Sequence, residues 1–378
     1  MTDASLRPEV HDDCNGVAPL AAVAPGRPAH DRLPTVTRRT LQVVLGLFWL
    51  LDGALQLQPF MFGKGFAGQV IAPAAAGQPY FVSATVHWSA SLILGHPVAW
   101  DVLFAAVQLA IGAGLLFRRT ARPAVAVSLA WAAGVWYLGE GLGGLAGGPA
   151  TFVTGAPGAV ALYGLVGLAA WPRLGPDRRR QLLDRSAGWR SRARIGIRIR
   201  IRTILSVTSD EPPARWVPAA WAVTWGLFAL LRALPANDSA TALGSQVLAS
   251  AGSSPGWLSS AQHLVGSALQ HQGVGLVAAV VVAELAVGLL ALRPGMFRQV
   301  AAWAGIAVAL AVWVVGQAFG QISTGMGTDP SSAPLVVLLG VALLGLMAPE
   351  RAGATVSPGA GGADGARGGR WTRWLREA

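Results

Sequence analysis

The chain has 378 residues, of which 53% are hydrophobic and only 12% are charged, and its formal net charge is +11. The charged residues cluster outside long apolar runs such as 217–234 and 274–292, whose lengths approach the about 20 apolar residues that cross a bilayer. This pattern predicts a polytopic, all-α integral membrane protein. The single cysteine, Cys14, excludes an internal disulfide, a CxxC redox pair and a cysteine metal site.

The two ends of the chain are predicted to be disordered cytoplasmic tails. Residues 1–38 contain acidic residues and prolines where a signal peptide would have a basic start and an unbroken apolar core. We therefore expect this segment to stay on the protein as a tail. Residues 348–378 are expected to form the second tail.

Four apolar runs in the first half are predicted to span the membrane, at 41–57, 100–117, 124–142 and 158–171. The last run is short, so we expect it to extend by a turn at either end. Between the first two runs, the segment 58–97 is interrupted by glycine and proline. Its aromatic and apolar residues predict an outer-loop helix that lies in, or dips into, the membrane interface.

Arginine positions predict the orientation, because Lys and Arg are retained on the cytoplasmic side. The outer loops 58–97 and 143–155 hold Lys64 as their one basic residue. An even number of spans with both termini in the cytoplasm accounts for this distribution. The basic residues on the predicted inner side include Arg38, Arg39, Arg118, Arg119 and Arg122.

A basic linker is predicted at 173–214, on the cytoplasmic side. At its centre, the string RARIGIRIRIRTIL alternates arginine with isoleucine, which suits an extended segment on anionic headgroups, where each Arg adds about 1 kcal/mol. Nucleic-acid binding is the competing explanation, but basic loops are the default on the cytoplasmic side of membrane proteins, so we predict no nucleic-acid partner. The predicted headgroup ligands are Arg194, Arg198, Arg200 and Arg202.

The two halves of the chain resemble each other. The string LGLFWLLDGALQ at 45–56 matches WGLFALLRALPA at 225–236, and WYLGEGLGG at 136–144 matches WVVGQAFGQ at 313–321. This predicts a tandem duplication of one four-span unit, 39–172 and 215–347, with eight spans in total. Because each unit has an even number of spans, the two units are parallel repeats. The second unit's spans are predicted at 217–234, 274–292, 300–319 and 333–346.

Polar residues occupy matched positions inside the predicted spans, in the outer half of the bilayer. A carboxylate facing lipid costs about 2.5–3.5 kcal/mol on insertion scales, so these side chains should face the bundle interior. We predict a buried polar cluster with an Asp52–Arg232 ion pair; polar packing contacts worth about 0.6 kcal/mol each are the alternative. The matched pairs are Asp52 with Arg232, Gln108 with Glu284, and Glu140 with Gln317.

Four histidines repeat in the outer loops. His87 and His96 correspond to His263 and His271. Their spacing does not suit a helical metal site, so we predict no metal site and expect interface-facing histidines, with proton handling as the alternative. The chain has no P-loop and no HExxH motif, and the sequence identifies no catalytic residue.

The first-span string LGLFWLLDGALQL, the outer loop and the two helices joined by a short basic turn resemble the DoxX family of four-span membrane proteins. The resemblance implies a membrane subunit or scaffold of a quinone-linked redox complex, with quinone as a candidate cofactor and a redox protein as a candidate partner. No cysteine lies in the predicted fold, so the chain itself supplies no thiol for the thiol or sulfur chemistry of such a complex.

A small-solute or proton-coupled transporter and a non-catalytic scaffold are the alternative functions. High arginine use with a single lysine indicates a GC-rich bacterial genome, which predicts the bacterial plasma membrane as the location.

Overall fold

A computed structural model describes residues 36–147, 149–172 and 211–347. The predicted tails and nearly all of the basic linker, with its headgroup ligands Arg194, Arg198, Arg200 and Arg202, lie outside these residues.

The predicted all-α class is confirmed, because the described residues form helices and turns and contain no strand. The first repeat contributes α1 Arg38–Leu55, α2 Tyr80–Gly95, α3 Pro97–Leu116, α4 Ala121–Leu138 and α5 Ala159–Ala169. The second contributes α6 Val217–Arg232, α7 Ala242–Ala251, α8 Gly256–Gln270, α9 Val274–Leu290, α10 Met296–Ala311 and α11 Ala333–Gly345.

Two stretches among the described residues are long and apolar enough to cross a bilayer. They are α3, with 20 residues, and the 29-residue helical stretch Met296–Thr324 that begins with α10. A third is added if α8 and α9, which meet at a bend of 105°, form one span. The predicted segment 58–97 does contain a helix, α2, and the second repeat has α8 in the matched place.

The helices of the two repeats pack in the same order. In the first repeat α1 packs on α3, α3 on α4, α4 on α5 and α5 back on α1. In the second repeat α6, α9, α10 and α11 form the same closed ring. The last helices, α5 and α11, also pack against each other, and one hydrophobic core containing Trp49, Tyr163, Trp221 and Leu339 runs through both repeats.

The expected extension of the fourth span is wrong. α5 begins at Ala159 and ends at Ala169, so its 11 residues rise about 16 Å, far less than the roughly 30 Å hydrocarbon core. The preceding segment does not continue the helix; it forms a loop whose residues Thr151, Phe152 and Val153 are buried. Non-helical backbone is tolerated at membrane depth only when it is buried in protein or lines a cavity.

A left-handed turn ends the third predicted span of each repeat at matched positions. Residues 141–144 in the first repeat and 318–321 in the second all have positive φ. Gly143 and Gly320 are required here, because an added Cβ would meet Pro157 O at 1.9 Å and Asp329 O at 2.4 Å respectively. Each turn sends the chain back into the protein, toward the last helix of its repeat.

Arginines at the predicted inner end donate to helix C-termini. Arg38, which is 2% exposed, donates from Nη1 to Trp171 O at 2.6 Å, just beyond the end of α5, while its Nε donates to Pro212 O at 2.9 Å in the segment ahead of α6. Arg298 Nε donates to Ala291 O at 3.0 Å, beyond the end of α9. Cations are favourable at these ends because the helix dipole is negative there.

Candidate functional site between the two repeats

The loop before α5 enters the second repeat. Phe152 is 1% exposed, and its ring stacks on Phe228 with centroids 4.2 Å apart and 8° between the planes. The ring also meets Trp225 edge to face at 6.0 Å. Since Phe228 and Trp225 belong to α6, an aromatic side chain of the first repeat completes the core of the second.

Polar contacts also hold this loop in the second repeat. Asn237 Nδ2 donates to Ala150 O at 3.2 Å, and Thr151 Oγ1 donates to Gln246 Oε1 at 2.8 Å. Asn237 and Thr151 are fully buried. These bonds satisfy polar groups that would otherwise be costly to bury.

The loop before α11 makes the reciprocal contact with the first repeat. Gln58 Nε2, just after α1, donates to Gly327 O at 3.2 Å. Farther along the loop, the carboxyl group of Asp329 acts electrostatically on Asp52, Glu140 and Tyr163. The two repeats therefore exchange their last outer loops.

Glu140 and Gln317 have the same geometric task at matched positions. Glu140 Oε1 accepts from Val160 N at 3.4 Å, in the first turn of α5. Gln317 Oε1 accepts from Ala333 N at 3.1 Å, in the first turn of α11. Each side chain thus caps a helix N-terminus whose free N–H groups would otherwise be buried without acceptors.

Gln317 also fixes the exchanged loop of the first repeat. Its Nε2 donates to Phe152 O at 2.8 Å and to Ser332 Oγ at 2.9 Å. The side chain is 7% exposed, and its contacts reach two segments of the chain, the loop before α5 and the start of α11. Gln317 therefore connects the loop exchange to the start of α11.

The predicted ion pair between Asp52 and Arg232 is wrong. The groups that act on Asp52 are Asp329, Tyr163 and Glu140, whereas Arg232 Nη1 donates to Gln246 Oε1 at 2.9 Å. Each of the two side chains thus interacts with groups other than its predicted partner, Asp52 with Asp329 of the exchanged loop and Arg232 with Gln246 and Glu284.

The first repeat therefore encloses an acidic group, which we call the acid cluster: Asp52, Glu140, Asp329 and the hydroxyl of Tyr163. Asp52 is 2% exposed and Tyr163 is fully buried. Asp52 Oδ1 and Glu140 Oε2 have no hydrogen-bond partner, and the hydroxyl of Tyr163 faces Asp52. The carboxyl group of Asp329 accepts from Thr328 Oγ1 at 2.8 Å and from Ser331 N at 2.7 Å.

The second repeat holds a separate polar group of mixed charge. Arg232 is 1% exposed and Glu284 is 6% exposed, and the two interact electrostatically. Arg232 Nε and Glu284 Oε2 both lack a hydrogen-bond partner. Gln246 links this group to the exchanged loop, since its Oε1 accepts from Arg232 Nη1 at 2.9 Å and from Thr151 Oγ1 at 2.8 Å.

A cleft of about 450 Å³ opens between the repeats. Val70, Val153 and Met326 supply apolar surface, and Asp329 lies in its wall. Most of the remaining lining is uncharged and able to hydrogen-bond, and it includes Gln69, Gln246, Ser250, Gln317, Gln321 and Thr328. The cleft can therefore accept a ligand that combines apolar parts with hydrogen-bonding groups.

The remaining predicted site residues lie apart from this cleft. Gln108 is half-buried on α3, and its Oε1 has no partner. The histidines are exposed on or beside the outer helices, and no three His, Cys, Asp or Glu side chains in the described ranges converge as metal ligands. The exposed histidines are His87, His96, His263 and His271.

No family model, curated protein or solved structure matches the chain.

Three residues of the site were not predicted from the sequence: Tyr163, Gln246 and Asp329. Tyr163 lies among apolar residues in a predicted span, so nothing in the local sequence indicates that it belongs to a polar site. Asp329 and Gln246 lie in outer segments, where no hydrophobic period predicts burial. The usable sequence signal was the match of the strings that begin at Trp136 and Trp313, since it indicates that the two segments fold alike. The two tryptophans do make the same contact: Trp136 Nε1 donates to Pro157 O at 2.7 Å, and Trp313 Nε1 donates to Pro330 O at 2.8 Å.

Proposed function

We propose that the chain is an integral membrane protein of eight spans, related to the DoxX family, in which two parallel four-helix units arose by duplication. Three observations support this proposal. The two rings of helices pack in the same order, both repeats carry the left-handed turn, and both use a Glu or Gln side chain to cap the last helix. In this proposal the exchanged loops and short last helices together fill the fourth span of each unit.

Its function in this proposal is that of a membrane subunit or scaffold of a quinone-linked redox complex in the bacterial plasma membrane, with both termini in the cytoplasm. The observation that carries this function is the cleft between the repeats, which places hydrogen-bonding groups beside apolar surface. A quinone head offers carbonyl oxygens that accept from Gln amides and hydroxyls, while its tail requires apolar surroundings. A redox protein of the same membrane would supply or accept the electrons.

The test is to purify the full chain from its native membrane in mild detergent and to quantify bound quinone and co-purifying proteins by mass spectrometry. Ala249 is an exposed residue that lines the cleft, so Ala249→Trp should fill the cleft without disturbing the core. Ala261→Trp, at an exposed position on α8, is the matched control.

We expect stoichiometric quinone in the wild type and in the control, and its loss in Ala249→Trp. Equal quinone in both variants, or none above the level carried by bulk phospholipid, would contradict the proposal. A stoichiometric oxidoreductase in the same preparation would identify the partner.

A small-solute or proton-coupled transporter is the second candidate. It is favoured by the two helix breaks at 141–144 and 318–321, because interruptions at corresponding positions of two repeats often mark a transport site. Flux of protons or solute into vesicles that contain the purified chain, abolished by Ala249→Trp and kept by Ala261→Trp, would favour this function.

A further inference from the structure

The acid cluster brings three carboxyl groups together without a cation. Asp52 comes from α1, Glu140 follows α4, and Asp329 comes from the exchanged loop of the second repeat. The titratable groups that act on Asp52 from these elements and from α5 are Asp329, Tyr163 and Glu140, and none of them is basic. Like charges at such positions repel strongly in a medium of low dielectric constant.

The unpartnered atoms of the cluster indicate a missing positive species. Tyr163 is fully buried and packs on Trp49 with centroids 4.6 Å apart, and its hydroxyl faces Asp52, to which it can donate. Asp52 Oδ1 and Glu140 Oε2 are without a donor. A buried acceptor left in this way is costly unless it binds a proton, water or an ion.

A metal ion fits these positions poorly. The carboxyl groups do not converge as a metal-ligand set in the described part of the chain. Protons need no such convergence, because carboxyl groups that interact electrostatically take up protons as a coupled set even without direct contact. Protonation of one carboxyl also supplies a hydrogen-bond donor to a neighbouring acceptor.

The second repeat lacks this group of residues at the matched positions. Arg232 stands in the place of Asp52, and Gln317 in the place of Glu140. When the repeats are aligned on Pro157 and Pro330, which accept from the matched tryptophans, Val336 stands opposite Tyr163 and Ala156 stands opposite Asp329. The acid cluster therefore has no counterpart at the matched positions of the second repeat, where the buried acid Glu284 lies beside Arg232 instead.

We propose that Asp52, Glu140 and Asp329 form a proton-binding site that exists in the first repeat alone and is completed by the exchanged loop of the second. Protons reach it through the cleft, in whose wall Asp329 lies. The site keeps at least one carboxyl group protonated at neutral pH. The inference does not rest on quinone binding, because a proton site serves a redox subunit and a proton-coupled transporter equally.

The test is infrared spectroscopy of the full chain in nanodiscs at neutral pH, in H₂O and in D₂O. Asp52→Asn, Glu140→Gln and Asp329→Asn are compared with Asp238→Asn, whose carboxyl group is exposed in an outer loop. Glu140→Gln should fold, since Gln317 performs the same capping task in the second repeat. Tyr163→Phe removes only the hydroxyl and keeps the ring packing.

We expect a carboxylic-acid C=O stretching band, shifted by D₂O, that loses intensity in each of the three cluster variants and changes frequency in Tyr163→Phe. The control should leave the band unchanged. A band that none of the cluster substitutions alters would overturn the proposal. A metal ion that co-purifies stoichiometrically and is lost in Asp329→Asn would overturn it as well. Quinone content is measured separately, so failure here is distinguishable from failure of the quinone proposal.

Discussion

Glu140 and Gln317 explain why a carboxylate stands between glycines at the end of an apolar run. Each side chain accepts a hydrogen bond from the first turn of a short helix, α5 or α11. These helices have only 11 and 13 residues, and they begin inside the protein. Either an amide or a carboxylate oxygen can perform this capping. The charge of Glu140 is therefore not needed for the cap, which leaves it available for the acid cluster.

Removal of the Gln317 amide should destabilise the protein substantially. Gln317→Leu leaves Phe152 O, Ser332 Oγ and Ala333 N without their contacts with Gln317, and each buried group left unmatched costs about 1–3 kcal/mol. The measurement is thermal or denaturant-induced unfolding in detergent, followed by tryptophan fluorescence. Gln299→Leu, at an exposed position on α10, is the control. Equal stability of the two variants would show that the cap contributes nothing.

At the scale of elements, the exchanged loops hold the repeats together in place of an ion pair. The ring of Phe152 from the first repeat is stacked inside the second, and the second repeat's loop reaches Gln58 and the acid cluster. In the proposed eight-span arrangement, each loop occupies the part of the bilayer thickness that the short last helix of its repeat does not cross. A loop in this place is therefore part of the core and not a mobile surface connection.

Truncation of Phe152 should therefore behave as a core mutation. Phe152→Ala is expected to lower the free energy of unfolding by about 3–5 kcal/mol, the usual cost of deleting a buried phenylalanine ring. Phe81→Ala, at a position that is 61% exposed, provides the same chemical change outside the core. Unfolding of the two variants under identical conditions checks the prediction. A Phe152 variant as stable as the Phe81 variant would mean that the loop lies elsewhere.

The sequence could predict the helices but not the way in which the loops pack. Apolar runs and their Gly or Pro boundaries indicated the segments that became α1, α3 and α4, because helix formation in such runs depends on local composition. The match of Glu140 with Gln317 was readable from the repeated strings. The polar partner of Asp52 was not, because Asp329 reaches it through a loop exchange between segments far apart in the chain.

At the scale of the whole molecule, we propose that two copies of one helical unit lie side by side with the same orientation. The matched rings of helices and the exchanged outer loops follow from that arrangement, since both loops must be on one side of the molecule to cross over. The acid cluster and the cleft would then lie on the outer side of the membrane, and the arginines Arg119 and Arg293 on the inner side.

The most direct test is labelling of single-cysteine variants with a membrane-impermeant thiol reagent in intact cells, in a Cys14→Ser background. His87→Cys and His263→Cys replace exposed residues of the outer helices, and Arg119→Cys and Arg293→Cys replace exposed residues between the middle helices. We predict that both histidine positions are labelled in intact cells and that both arginine positions are labelled only after permeabilisation. Labelling of His87→Cys and His263→Cys from opposite sides would contradict the parallel duplication.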